Sequence, residues 1–143
     1  MAISVTEMAK TLQEETAWQR TPEPIDLEQY EAMVAKAIKR LYVDTSRVFE
    51  YSPALMIISE NETGRTILFD KDLPIDEELY VMLCAKIEFF RKVQSDVNNI
   101  VGYTTDALSV TNADKPYAHL KDTIVDLDNE RRIVYYKMIR YCM

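Results

Sequence analysis

Residues 74 to 98 read PIDEELYVMLCAKIEFFRKVQSDVN, and the way apolar side chains are spread through this stretch decides the fold. Leu79, Leu83, Ile87, Phe90 and Val97 fall at helical spacing and make one stripe. Pro74 and Asp76 open the helix, since proline is tolerated in a first turn and a carboxylate suits the positive end of the macrodipole. Tyr80, Val81, Met82 and Cys84 then carry the apolar surface around to the other sides. A helix that is apolar on nearly every side is either the centre of a bundle or covered by a partner. Glu88 and Lys92 stand at i,i+4 on it, a favourable pairing of small worth.

Toward the amino end the character changes. Val48, Phe49 and Tyr51 precede Pro53; Leu55 to Ile58 and Thr66 to Phe69 are β-rich runs around a turn at Asn61 to Gly64. This reads as a hairpin near 54–69, whose apolar face must rest on helices or another subunit, because a lone hairpin is marginal in water. Its edges are places for strand addition. Further back, Asp26 is an N-cap with Gln29 in capping-box position, and Leu27, Tyr30, Val34, Ile38 and Leu41 make a regular stripe. Lys36, Lys39 and Arg40 read as a solvated helix end. Thr21 to Pro24 is an extended hinge or arm, because each proline disfavours the α region before it. Ahead of it, residues 3–18 place Val5, Met8 and Leu12 on one side of a modest amphipathic helix.

Toward the carboxyl end, residues 99–113 read as a connector with a β-flavoured piece at Ala107 to Thr111, and Asp114 and Pro116 open a last helix. Leu120, Ile124, Leu127, Val134, Met138 and Tyr141 alternate steps of three and four, provided Arg131 fills the central position of the seam. Acids crowd the front of this helix (Asp122, Asp126, Asp128, Glu130) and bases its rear (Arg131, Arg132, Lys137, Arg140), the order the macrodipole favours. Past Arg132 the apolar residues exceed what one seam can bury. Tyr135, Tyr136, Met138, Ile139, Tyr141 and Met143 are therefore the candidate partner interface, since aromatic residues and methionine are enriched at interface cores. The plainer reading is that the tail finishes the chain's own core.

Only two glycines occur in 143 residues, too few for the many turns of a sandwich or barrel. The expected class is mainly α: a bundle of about four helices with a small β-hairpin insertion. It forms one domain over 1–143, with an N-terminal helix and proline hinge (1–24), a helical core (25–132) and a docking tail (133–143). The net charge of −7 disfavours tight nucleic-acid binding, which rests on lysine and arginine releasing counterions. An acidic wall over which DNA slides is compatible with it. The opening residues do not resemble a signal peptide, and the longest nearly uncharged stretch is too short to span a bilayer, so no membrane role is expected. Cys84 and Cys142 show no metal or disulfide pattern, which fits a reducing compartment.

No catalytic set stands out among the polar residues. His119 is the only histidine; Asp106 and Ser109 are near in sequence, but nothing marks a nucleophile elbow. Asp76-Glu77-Glu78 and Asp126, Asp128, Glu130 are carboxylate clusters. The second imitates the start of a calcium loop, but Arg131 stands where the turn glycine is required. Acidic helix starts explain both. Cys84 lies in apolar surroundings that make a thiol inert. No enzyme activity, cofactor or metal is expected.

The helix ending Glu88-Phe89-Phe90-Arg91-Lys92, the segment Tyr103 to Val110, the following proline and a last helix of alternating acids and apolars together resemble the head-tail connector (adaptor) proteins of long-tailed bacteriophages. The likeness spans residues 79 to 140. It implies a structural virion protein of the neck region, present in the host cytoplasm during assembly. Such a protein forms a homo-oligomeric ring, usually dodecameric, that bridges the portal protein and a head-completion or tail-completion protein. DNA passes through without specific binding. The family engages the portal through its C-terminal segment, here Tyr135, Tyr136, Ile139, Tyr141 and Met143. Alternative readings are a tail-completion protein of the same particle and a small acidic regulatory or inhibitory binding protein.

Overall fold

The computed structural model describes residues 3–44, 55–62, 64–70, 73–103 and 119–142. The capping box is closed in both directions: the Asp26 carboxylate accepts from the Gln29 N–H at 3.0 Å, and the Gln29 side chain accepts from the Asp26 N–H at 3.1 Å. Satisfying these orphan donors starts α2, Leu27–Asp44. Ahead of it, Ser4 accepts from the Glu7 N–H and caps α1, Val5–Glu15. α1 buries Val5, Ala9 and Leu12 completely and packs on α2, and Lys86 reaches Glu15 at 2.8 Å to tie its end to α3. The helix that the prolines set apart in the sequence is thus part of the core.

α3, Ile75–Tyr103, takes the central place, with α2 on one side and α4, Leu120–Cys142, on another. Tyr80, Val81, Cys84, Ala85, Ile87, Phe89 and Val93 are all within 1% of full burial, so the chain itself covers most of the apolar surface of α3 beyond its first turn. Two details differ from the sequence reading. Leu79 is 48% exposed, because the buried side of the first turns centres on Tyr80 and Val81. Glu88 does not pair with Lys92: it meets Lys36 of α2 at 3.3 Å, and Lys92 reaches Asp96 at 3.1 Å. α3 also continues through Gly102 to Tyr103, beyond the expected end near Asn98. The rest of the connector, including Asp106, Ala107 to Thr111, Asp114 and Pro116, lies outside the described residues.

The hairpin is present as β2, Met56–Asn61, and β3, Gly64–Phe69, antiparallel from Asn61↔Gly64 to Met56↔Phe69. Gly64 turns the chain at φ +129°, a conformation that favours glycine. Val48, Phe49, Tyr51 and Pro53 lie outside the described residues. A third strand, β1 (Ile3–Ser4), pairs with Leu68 and Phe69 and gives the order β1-β3-β2. The sheet rests on α1 and buries Phe69. A polar cross-brace fixes it there: buried Glu31 accepts from Thr6 Oγ1 at 2.7 Å and from Arg65 at 3.0 Å, while the same Thr6 oxygen accepts from the Ile67 N–H at 2.8 Å. Among the described residues these are four helices around one core with a small antiparallel sheet, the mainly α class expected.

Candidate functional site

Arg131 occupies the seam of α4 as the heptad spacing requires, between Leu120, Ile124 and Leu127 on one side and Val134 and Met138 on the other. Its side chain is 13% exposed. It holds Asp128 one turn back with contacts at 2.9 Å, donates to the Tyr80 hydroxyl at 3.0 Å and lies 3.6 Å from Asp44. The Tyr80 hydroxyl in turn donates to the Asp44 carboxylate, which Arg40 also meets at 3.4 Å. The guanidinium stands 5.9 Å from the centre of the Tyr80 ring. The last residue of α2, the second turn of α3 and the middle of α4 are joined in one network.

Three members, Tyr80, Arg131 and Asp128, are each shifted toward the protonation state that the network uses. Burial and the bond to Asp44 raise the Tyr80 phenol above its ordinary value. Burial opposes the charge on Arg131, but its bonds to Tyr80 and Asp128 outweigh it and raise its pKa. Burial likewise disfavours ionised Asp128, yet Arg131 beside it, helped by Arg132, holds the carboxyl below the usual range. Cys84, close by, is pushed up to about 12, chiefly by burial, and is a neutral thiol. A network locked in this way pins helices together; a general acid or base needs a pKa near the working pH.

Beside the network lies an open cleft of about 450 Å³ lined by Val43, Asp44, Arg131, Arg132, Tyr135 and Tyr136. Tyr136 is 68% exposed, and Tyr135 is half-buried between the rings of Tyr80 and Tyr136. Of the other interface candidates, Met138 is turned into the chain's own core with Val134. The side chains of Ile139 and Tyr141, and all of Met143, lie outside the described residues.

The sequence reading named Tyr136 but missed the second stripe on α4 to which it belongs. Val125, Ile133 and Tyr136 are 50%, 57% and 68% exposed, on the side away from Arg131. Tyr136 follows Val125 by close to three whole 3.6-residue turns and Ile133 lies one turn before Tyr136, a signal the spacing contained. Val43, exposed at the end of α2, had no such signal.

The remaining candidates stay apart. His119 is exposed, its carbonyl accepting from the Thr123 N–H as α4 begins. Asp76, Glu77 and Glu78 occupy the first turn of α3; burial and the Asp76 charge raise the Glu77 pKa. Asp126, Asp128 and Glu130 lie on continuous helix, with Asp128 engaged by Arg131 and Arg132. Among the described residues no group of three His, Cys, Asp or Glu side chains is placed to hold a metal, and no helix is long and apolar enough to cross a membrane. Compared with protein-family models, curated proteins and solved structures, the chain has no match.

Proposed function

We propose that this chain is a structural virion subunit, a ring-forming head-tail connector of a long-tailed bacteriophage that bridges the portal and the head-completion or tail proteins around the DNA exit channel. The observation that carries the assembly part of this reading is the two-faced last helix. One side of α4 is buried on α3, while Val125, Ile133 and Tyr136 leave an apolar row on the opposite side that nothing among the described residues covers. An exposed row of this kind beside an aromatic cleft supports reading this side of α4 as a protein-interaction surface. The phage setting rests on the resemblance of residues 79–140 to the connectors. The acidic balance suits a wall that lets DNA slide.

The test is co-migration of the pure chain with the portal ring of the same virus in native electrophoresis and electron microscopy. Deleting residues 139–143 keeps Val134 and Met138 in the core and should abolish co-migration while preserving the helical spectrum. Failure of the full chain to bind, or undiminished binding by the truncated one, would overturn the connector reading.

A further inference from the structure

We infer that the outer face of α4 binds the start of α3 on a second copy of this chain, so that copies associate head to tail; this deepens the assembly reading above and rests on it. On α4, Ile133 and Tyr136 are exposed and are flanked by Arg132 and Lys137, also exposed. On α3, Ile75 is 84% and Leu79 48% exposed; they stand one turn apart, with exposed Asp76 and Glu78 between them. The α3 pair is set among acids, and the α4 pair is flanked by two cations with exposed Glu130 one turn before Ile133, so the two patches are opposite in net sign.

Within one chain the patches do not face each other. The seam of α4, through Arg131, Val134 and Met138, is the side turned to α3 and the core, so the Ile133 side points away. Among the described residues Asp76, Glu78 and Lys137 have no ion-pair partner. Glu77, between the two acids, has a buried Oε2 without a hydrogen-bond partner. Crowding acids in this way costs electrostatic energy, and a neighbour's cations relieve it.

Pairing either patch with its own image across a two-fold axis would set like charges together. Pairing one with the other satisfies both, and such a heterologous contact repeats from copy to copy until rotation closes a ring.

The experiment is sedimentation velocity of the full chain over a concentration series, using two charge-reversed variants. Arg132→Glu with Lys137→Glu makes both patches acidic; Asp76→Lys with Glu78→Lys makes both basic. Each variant alone should associate roughly tenfold more weakly or worse, since exposed attractions become repulsions. An equimolar mixture should recover oligomers, because acidic and basic patches then alternate. The inference is overturned if either variant alone associates like the unaltered chain, if the mixture stays monomeric while the unaltered chain does not, or if the unaltered chain is monomeric throughout. Self-association by this pattern without portal-ring binding would leave the inference standing and sink only the connector reading.

Discussion

Replacing Arg131 with alanine should destabilise the chain by about 3 kcal/mol at pH 7, the sum of two contributions. The aliphatic stem, packed in the seam beside Tyr80, contributes roughly 1 kcal/mol of lost apolar contact. The remainder is electrostatic. Breaking a fully buried pair costs ~3–5 kcal/mol, but the Asp44 and Asp128 side chains are 26% and 23% exposed and water can reach them. Asp44 also keeps Tyr80 and Arg40, and Asp128 keeps Arg132, so the charge part falls to about 2 kcal/mol.

Urea unfolding followed by far-ultraviolet circular dichroism measures the total, with an unchanged slope showing that the same surface unfolds. In a thermal scan the midpoint should drop by roughly 10 °C. Arg131→Met, which keeps most of the stem, should lose less. Acid separates the two contributions. The folded Asp128 pKa is depressed, so the stability it contributes is fully present above the ordinary aspartate value of about 4 and is lost as pH falls through the lower folded value. The gap between the native chain and Arg131→Ala should therefore narrow as the pH falls below the ordinary aspartate value. A gap below about 1 kcal/mol at pH 7, or one that does not narrow in acid, would refute the view that Arg131 binds these helices by charge.

Met138→Ala should cost roughly 2–4 kcal/mol, as for other buried methionines, whereas Tyr136→Glu should stay within about 0.5 kcal/mol; urea midpoints of equal size for the two would contradict the division of α4 into a core side and a free side. In a Cys142→Ser background, Cys84 should resist a maleimide at pH 8 and react once the chain is unfolded in urea. Its folded pKa is raised to about 12, so stability is full below the ordinary thiol value of about 8.5 and declines as pH climbs from there. Rapid native labelling would refute the burial argument.

What the sequence disclosed was whatever is local. The Asp26 and Gln29 box is an i,i+3 pattern, and the seam through Arg131 is a spacing along one helix; both could be read without knowing where the chain goes next. The partners of Arg131 could not, because Tyr80 is 51 positions away and no periodicity links them. Glu88 shows the same limit: its neighbour one turn on was at hand in the sequence, yet Lys36 on another helix takes the carboxylate. Met138 belonged to two patterns at once, the seam and the apolar surplus of the tail, and counting the surplus could not say which residues turn inward. Glu31 was invisible for a simpler reason. An acid on an amphipathic helix reads as solvated until Thr6 and Arg65, from distant segments, close over it.

The hydroxyl of Thr6 does for Ile67 what a neighbouring strand would otherwise do, and Ile3 and Ser4 complete the cover over Leu68 and Phe69. That border of the sheet is sealed across a sequence distance of 61 residues. Chain closure on this scale is entropically unfavourable until the contacts form, so a ribosome must deliver β3 before the opening residues can find their berth. Until Ile3 and Ser4 dock, the β3 border of the hairpin is open, and afterwards the Met56–Asn61 strand is the long sheet edge left unpaired among the described residues.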